Sequence, residues 1–130
     1  MISDESFPLH FRLKSQKLIG QLFKSSQSAF SFPLLLKYIE LPDEPGVQRL
    51  AVGFSVPKKS FRTAVKRNRI KRLMREAFRK QRSEWLGPCE EGSGWAMMWI
   101  CVSDQEPEYE QVHQAVRKCL RKLIAARTPG

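Results

Sequence analysis

Long apolar runs are missing from this sequence. The longest, residues 95–102 (Trp-Ala-Met-Met-Trp-Ile-Cys-Val), falls far short of the roughly 20 residues that span a bilayer. The opening Met-Ile-Ser-Asp-Glu-Ser is acidic and lacks the apolar stretch of a secretory signal. A soluble, cytoplasmic protein with no membrane partner is therefore expected. Cysteine is scarce, and Cys89, Cys101 and Cys119 show no C-x-x-C spacing. That argues against a zinc site completed by His113, and an odd number suits free thiols in a reducing compartment better than a disulfide framework. Histidine is scarcer still, with only His10 and His113 to do acid–base work near neutral pH. His113 falls beside an apolar stripe and reads as structural, and His10 lies in a terminal segment, residues 1–11, expected to be mobile. The acids Asp43, Glu44, Glu90 and Glu91 sit in turns, and those from Asp104 to Glu110 open a helix. Solvation and dipole pairing explain them without a two-metal site. No catalytic constellation emerges, and there is no internal repeat or low-complexity tract.

Another absence is local. Between residues 58 and 82 there is one acid, Glu76, against Lys58, Lys59, Arg62, Lys66, Arg67, Arg69, Lys71, Arg72, Arg75, Arg79, Lys80 and Arg82. That window carries +11. With 23 basic and 13 acidic residues in all, the remainder of the chain holds eleven basic and twelve acidic residues and is net −1. Charge meant only for solubility would be spread out; a single positive stripe on a near-neutral body suits a polyanion. On a helical wheel of about 100° per residue, Ile70, Leu73, Met74, Ala77 and Phe78 share one face. Asn68, Lys71, Arg72, Arg75 and Arg79 share the other, with a ridge running over about 16 Å of axis. Like charges at i, i+4 weaken a free helix by a few tenths of a kcal/mol per pair. A solvated helix would alternate its signs; this one waits for an outside anion.

At 130 residues the chain suits one domain with one core. Leu18, Ile19, Leu22 and Phe23 fall at helical spacing behind Ser15 as N-cap, predicting a short amphipathic helix to Lys24. After a Ser-rich turn at 25–28, residues 30–39 read as one strand with Pro33 at an edge or entry. A turn at 41–46 leads to a second strand, 47–56. There Leu50, Val52, Phe54 and Val56 take one face, and Ala51, Gly53 and Ser55 leave the other low enough for a ligand backbone or a packed helix. Thr63 or Ser60 caps the cationic helix, which stops before Gly87-Pro88. A loop at 90–94 precedes the apolar run at 95–102, expected to be a strand buried on both faces and central in its sheet. The final helix opens on acids and closes on Arg117, Lys118, Arg121 and Lys122, with Tyr109, Val112, Val116, Cys119, Leu120 and Leu123 as its stripe. The order helix, two strands, helix, strand, helix predicts an α+β single-domain sandwich, three helices on a small, mainly antiparallel sheet.

Two linked motifs carry a family resemblance. Ser55-Val-Pro-Lys-Lys59 at a strand end, followed by Arg67-Asn68-Arg69-Ile70-Lys71-Arg72 in the basic helix, resembles the bacterial ribonuclease P protein component and its RNR motif. The two span about 27 residues and are far more specific than a basic helix alone; the order and size of the other elements extend the likeness over most of the chain. The resemblance implies a ribosomal-protein-like fold with a left-handed β-α-β crossover, an exception to the usual hand. It also implies a subunit that binds a catalytic RNA and precursor tRNA, needs no obligate protein partner, and supports endonucleolytic 5′-leader removal with Mg²⁺ held mainly by the RNA.

Carried onto this sequence, the RNA-facing set is Lys58, Lys59, Arg62, Lys66, Arg67, Asn68, Arg69, Lys71, Arg72, Arg75 and Arg79. A cleft between the first helix and the sheet would take the single-stranded leader, with Ile19, Phe23, Phe32, Tyr38 and Ser55 as its candidates. Phe23 matches one aromatic position of the family's first helix. The other usual aromatic is Ile19 here, so shape or backbone contact replaces stacking at that point. Phe30 joins Phe23, Phe32 and Tyr38 as a possible stacking partner, although several of these four are expected in the core. A stand-alone RNA- or DNA-binding module such as a ribosomal protein is the alternative, but groove reading favours a different helix start and a dimer stripe, neither of which is evident.

Overall fold

The computed structural model describes residues 16–24, 26–41, 50–86 and 94–127. Expectations for Ser15, His10, Cys89, the turn acids and residues 1–11 lie outside these. The elements run α1 (Gln16–Lys24), β1 (Gln27–Ser31), β2 (Leu34–Leu41), β3 (Leu50–Ser55), α2 (Ala64–Leu86), β4 (Gly94–Cys101) and α3 (Tyr109–Arg127). One sheet forms in the order β1-β2-β4-β3. Its β1–β2 and β2–β4 pairs are antiparallel, and β3–β4 is parallel, joined by the crossover through α2.

The single strand expected over 30–39 is instead a hairpin. Pro33 has no N–H to give a ladder, and the chain reverses at Phe32-Pro33, whose peptide bond is cis. Gln27 and Ser28, expected in a turn, pair with Tyr38 and Lys37. The apolar run at 95–102 forms β4 between β2 and β3, buried along nearly its whole length. Val102 lies just past the strand and is 44% exposed, its N–H donating to the Pro33 carbonyl (2.9 Å).

Alternation along each strand separates the two faces of the sheet. On one, Leu34, Leu36, Tyr38, Leu50, Val52, Trp95, Met97, Trp99 and Cys101 pack beneath α2 and α3. The stripe Ile70, Met74, Ala77 and Phe78 closes this core from α2, and Val112, Val116, Cys119, Leu120 and Leu123 close it from α3. Phe78 and Trp99 meet at 5.9 Å between ring centroids. Burial pushes the Cys119 thiol up to about 11 and raises that of Cys101, so both are inert packing groups. Gln81, polar and therefore legible only as a surface residue, is 4% exposed. Its amide donates to the Ala77 and His113 carbonyls (3.2 and 3.0 Å), tying α2 to α3. On the other face the small side chains let α1 come close. Leu22 is fully buried against Leu41, Ala51, Ala96 and Met98.

Candidate nucleic-acid interface

Thr63 settles the start of α2. Its hydroxyl accepts the Lys66 N–H (3.3 Å) and its carbonyl the Arg67 N–H (3.2 Å), so Thr63 is the N-cap. Val65 is out of phase with the apolar stripe because it faces solvent, 72% exposed. Before the cap, Phe61 is buried and its N–H donates to the Pro57 carbonyl (3.3 Å). This folds the connection so that Lys58, Lys59 and Arg62 point outward.

The cationic ridge is present but not uniform. Lys58, Lys59, Arg62, Lys66 and Arg72 are exposed and Lys71 half-buried, and none meets a carboxylate among the described residues. Asn68 lies exposed among them. Three arginines expected to be unmatched are already engaged. Arg67 turns back, its Nη1 donating to the Phe61 and Arg62 carbonyls (2.8 and 2.9 Å) and bracing the loop that displays Arg62. Arg69 forms a two-point pair with Glu106, Nε to Oε2 at 2.5 Å and Nη2 to Oε1 at 3.2 Å. Arg79 pairs with Glu76 (2.5 Å), and Lys80 stands 3.9 Å from the same carboxylate. The hydrogen bond from Arg79, followed by the nearby positive charge, holds Glu76 below the usual carboxylate range. Arg75 lies over the Phe54 ring at 5.8 Å. Sequence could not foresee Glu106, which reaches α2 from 37 residues away.

On the opposite face of the sheet lies a second surface. The register puts Ser28 and Phe30 of β1 beside Lys37 and Leu35 of β2, then Met98 and Ile100 of β4, then Gly53 and Ser55 of β3. Together they form a floor that α1 partly covers, with Ile19 half-buried and Phe23 52% exposed. Ser55 is half-buried on this floor. Tyr38 does not belong to it. Alternation turns Tyr38 to the other face, where it is 4% exposed and edge-on to Trp95 (5.8 Å, 70°), and burial raises its phenol above the ordinary value. Phe32 stands in the β1–β2 turn at the end of the sheet, 56% exposed. Phe30, Leu35 and Lys37 take the place expected of Tyr38, a result visible from the period of two only once the reversal is put at Pro33. Phe23, Phe30 and Phe32 are three of the five exposed large apolar side chains among the described residues. Aromatics left in solvent around a trough suit stacking on bases.

The pattern that defines the Ribonuclease P family matches residues 7–124. A ribonuclease P protein component from Porphyromonas gingivalis is 35% identical over 120 residues, covering 92% of this chain and 86% of that protein. One from Chromohalobacter salexigens is 33% identical and covers 99% of both. The chain belongs to the ribonuclease P protein family. Two solved ribonuclease P proteins share its fold. The one from Staphylococcus aureus gives a TM-score of 0.67 at 21% identity, covering 87% of this chain and 94% of that one. The one from Thermotoga maritima gives 0.62 at 18%, covering 92% and 98%.

Membership gives the chain a ribonuclease-related role. Among the described residues no three His, Cys, Asp or Glu side chains converge as a metal set. His113 is held between the Gln81 amide and the Tyr109 ring (5.8 Å), away from both surfaces. No helix among the described residues is long and apolar enough to cross a membrane.

Proposed function

We propose that the chain is the protein subunit of ribonuclease P, acting in the cytoplasm with an RNA subunit that is the catalyst, and that it takes part in removing the 5′ leader of precursor tRNA. The observation that carries this reading is the separation of two surfaces. The cations of α2 and its leading loop that meet no carboxylate among the described residues lie on one side of the molecule, and an aromatic-rimmed trough lies across the sheet. One polyanion on each side is what a subunit needs to bring catalytic RNA and substrate together.

In this reading Lys58, Lys59, Arg62, Lys66, Lys71 and Arg72 lie against phosphates of the catalytic RNA. Releasing condensed counterions from six contacts makes affinity fall by roughly three orders of magnitude between 50 and 200 mM salt. The trough takes the single-stranded leader by stacking on Phe23 and Phe30, which tolerates any base. Mg²⁺, the ion that supports cleavage, is held by the RNA, and the protein's part is to lower the phosphate repulsion that opposes metal binding. No protein nucleophile, general base or obligate protein partner is invoked.

The test is reconstitution with a bacterial ribonuclease P RNA and precursor tRNA at low Mg²⁺. The chain should restore leader cleavage. Lys66→Ala with Arg72→Ala should abolish that rescue while leaving circular dichroism and the melting temperature unchanged. Retention of duplexes without rescue would instead make it a stand-alone nucleic-acid-binding module. A double variant as active as the parent would remove the ridge from the interface.

A further inference from the structure

The second half of α3 carries a cationic surface that the α2 ridge does not include. Arg117, Lys118, Arg121 and Lys122 are all exposed, and the only acid in α3 is Glu110, in the first turn, bonded by Gln114 (3.1 Å). Dipole pairing accounts for one or two cations near a helix end, not for four in six residues.

The position of this surface gives it a use. Cys119 contacts the Ala29 carbonyl (3.6 Å) and Lys122 donates to the Phe30 carbonyl (2.5 Å), so this side of α3 lies along β1. Lys118 is one turn before Lys122 on the same side. β1 is the outer strand of the sheet; one of its faces packs on α3 through Ala29, and the other carries Ser28 and Phe30 of the trough floor, so the path from the floor to α3 runs around this single strand edge. Phe30 marks the crossing. Its carbonyl is held by Lys122, while its 51% exposed side chain lies on the trough face opposite Leu35, with Lys37 two residues along the floor.

We propose that the trough continues as a single-stranded RNA track over the β1 edge. The upstream part of a long leader leaves the floor at Phe30, where a base stacks, and its backbone runs onto α3, where Lys118 and Lys122 take phosphates without regard to sequence. The inference rests on the reading that the leader occupies the trough. It adds a site for nucleotides farther from the cleavage point and makes affinity depend on leader length.

The experiment measures binding of the reconstituted holoenzyme to two precursor tRNAs, one with a leader of a few nucleotides and one several times longer. Lys118→Ala with Lys122→Ala should weaken the long-leader substrate about 5- to 10-fold. It should also reduce the salt slope for that substrate by about 1.4, or 0.7 per contact, and leave the short-leader substrate unchanged. Because Lys122 also braces β1, Lys118→Glu alone, at an exposed position of α3, provides a variant that leaves that brace in place, and it should show the same length dependence. Equal effects on both leaders, or none on either, overturn the track. Phe23→Ala separates the two readings. It should weaken both substrates, and if it weakens neither, the leader does not lie in the trough and the track loses its starting point.

Discussion

The two faces of the sheet are built from the same strands and do opposite work. In β4, Trp95, Met97, Trp99 and Cys101 fill the space under α2 and α3, while Ala96 and Met98 form a lower surface beneath α1. In β3, Leu50 and Val52 go to the first set; Ala51, Gly53 and Ser55 go to the second. One face puts its volume into packing. The other keeps its floor low and leaves Phe23 and Phe30 in solvent. In the proposed function, stability and recognition are thus assigned to alternate residues of one chain, and substitutions one position apart should report on different properties.

The largest effect belongs to the thick face. Trp99→Ala, at a fully buried position against Phe78, should destabilise by about 3–5 kcal/mol in urea or thermal unfolding. Trp99→Phe should cost far less, because it also removes an indole N–H that has no partner among the described residues. A mild Trp99→Ala would break the comparison.

On the thin face, Phe23→Ala should leave stability within about 1 kcal/mol, given its exposure. It should weaken leader-bearing substrate by about 1–3 kcal/mol, the worth of one base stack, as measured by holoenzyme binding. A melting temperature lowered as far as in Trp99→Ala would make Phe23 a core residue.

The smallest effect sharpens the account of the ridge. Glu106→Gln breaks an exposed pair, with side chains 52% and 33% exposed, and should change stability by under about 1 kcal/mol. It frees Arg69 for phosphate, so the salt slope of binding to the catalytic RNA should steepen by about one contact, 0.9 for a duplex-like surface. An unchanged slope would mean that Arg69 already faces RNA from its other edge.

Much of this was legible beforehand, because helical and strand periods are local properties. The apolar stripe of α2, the burial of β4, the low face of β3 and the +11 window could each be read from residue spacing. The hairpin at Pro33 was not, since a short apolar run with a proline reads equally well as one strand that begins late. Tyr38 was misassigned for a related reason. An aromatic in a strand points to either face until the register is fixed.

By itself the sequence determined where the charge lies, which residues are apolar at which period, and through two linked motifs which family the chain resembles. Which cations are already engaged emerged only from the folded arrangement, because the partners of Arg67 and Arg69 are a folded loop and a carboxylate from a distant segment. That arrangement alone decided which aromatics line the trough, because facing is a property of strand pairing, not of any residue taken singly. Periodicity acts over a few bonds, whereas charge matching and facing depend on through-space neighbours that the chain acquires only when it closes on itself.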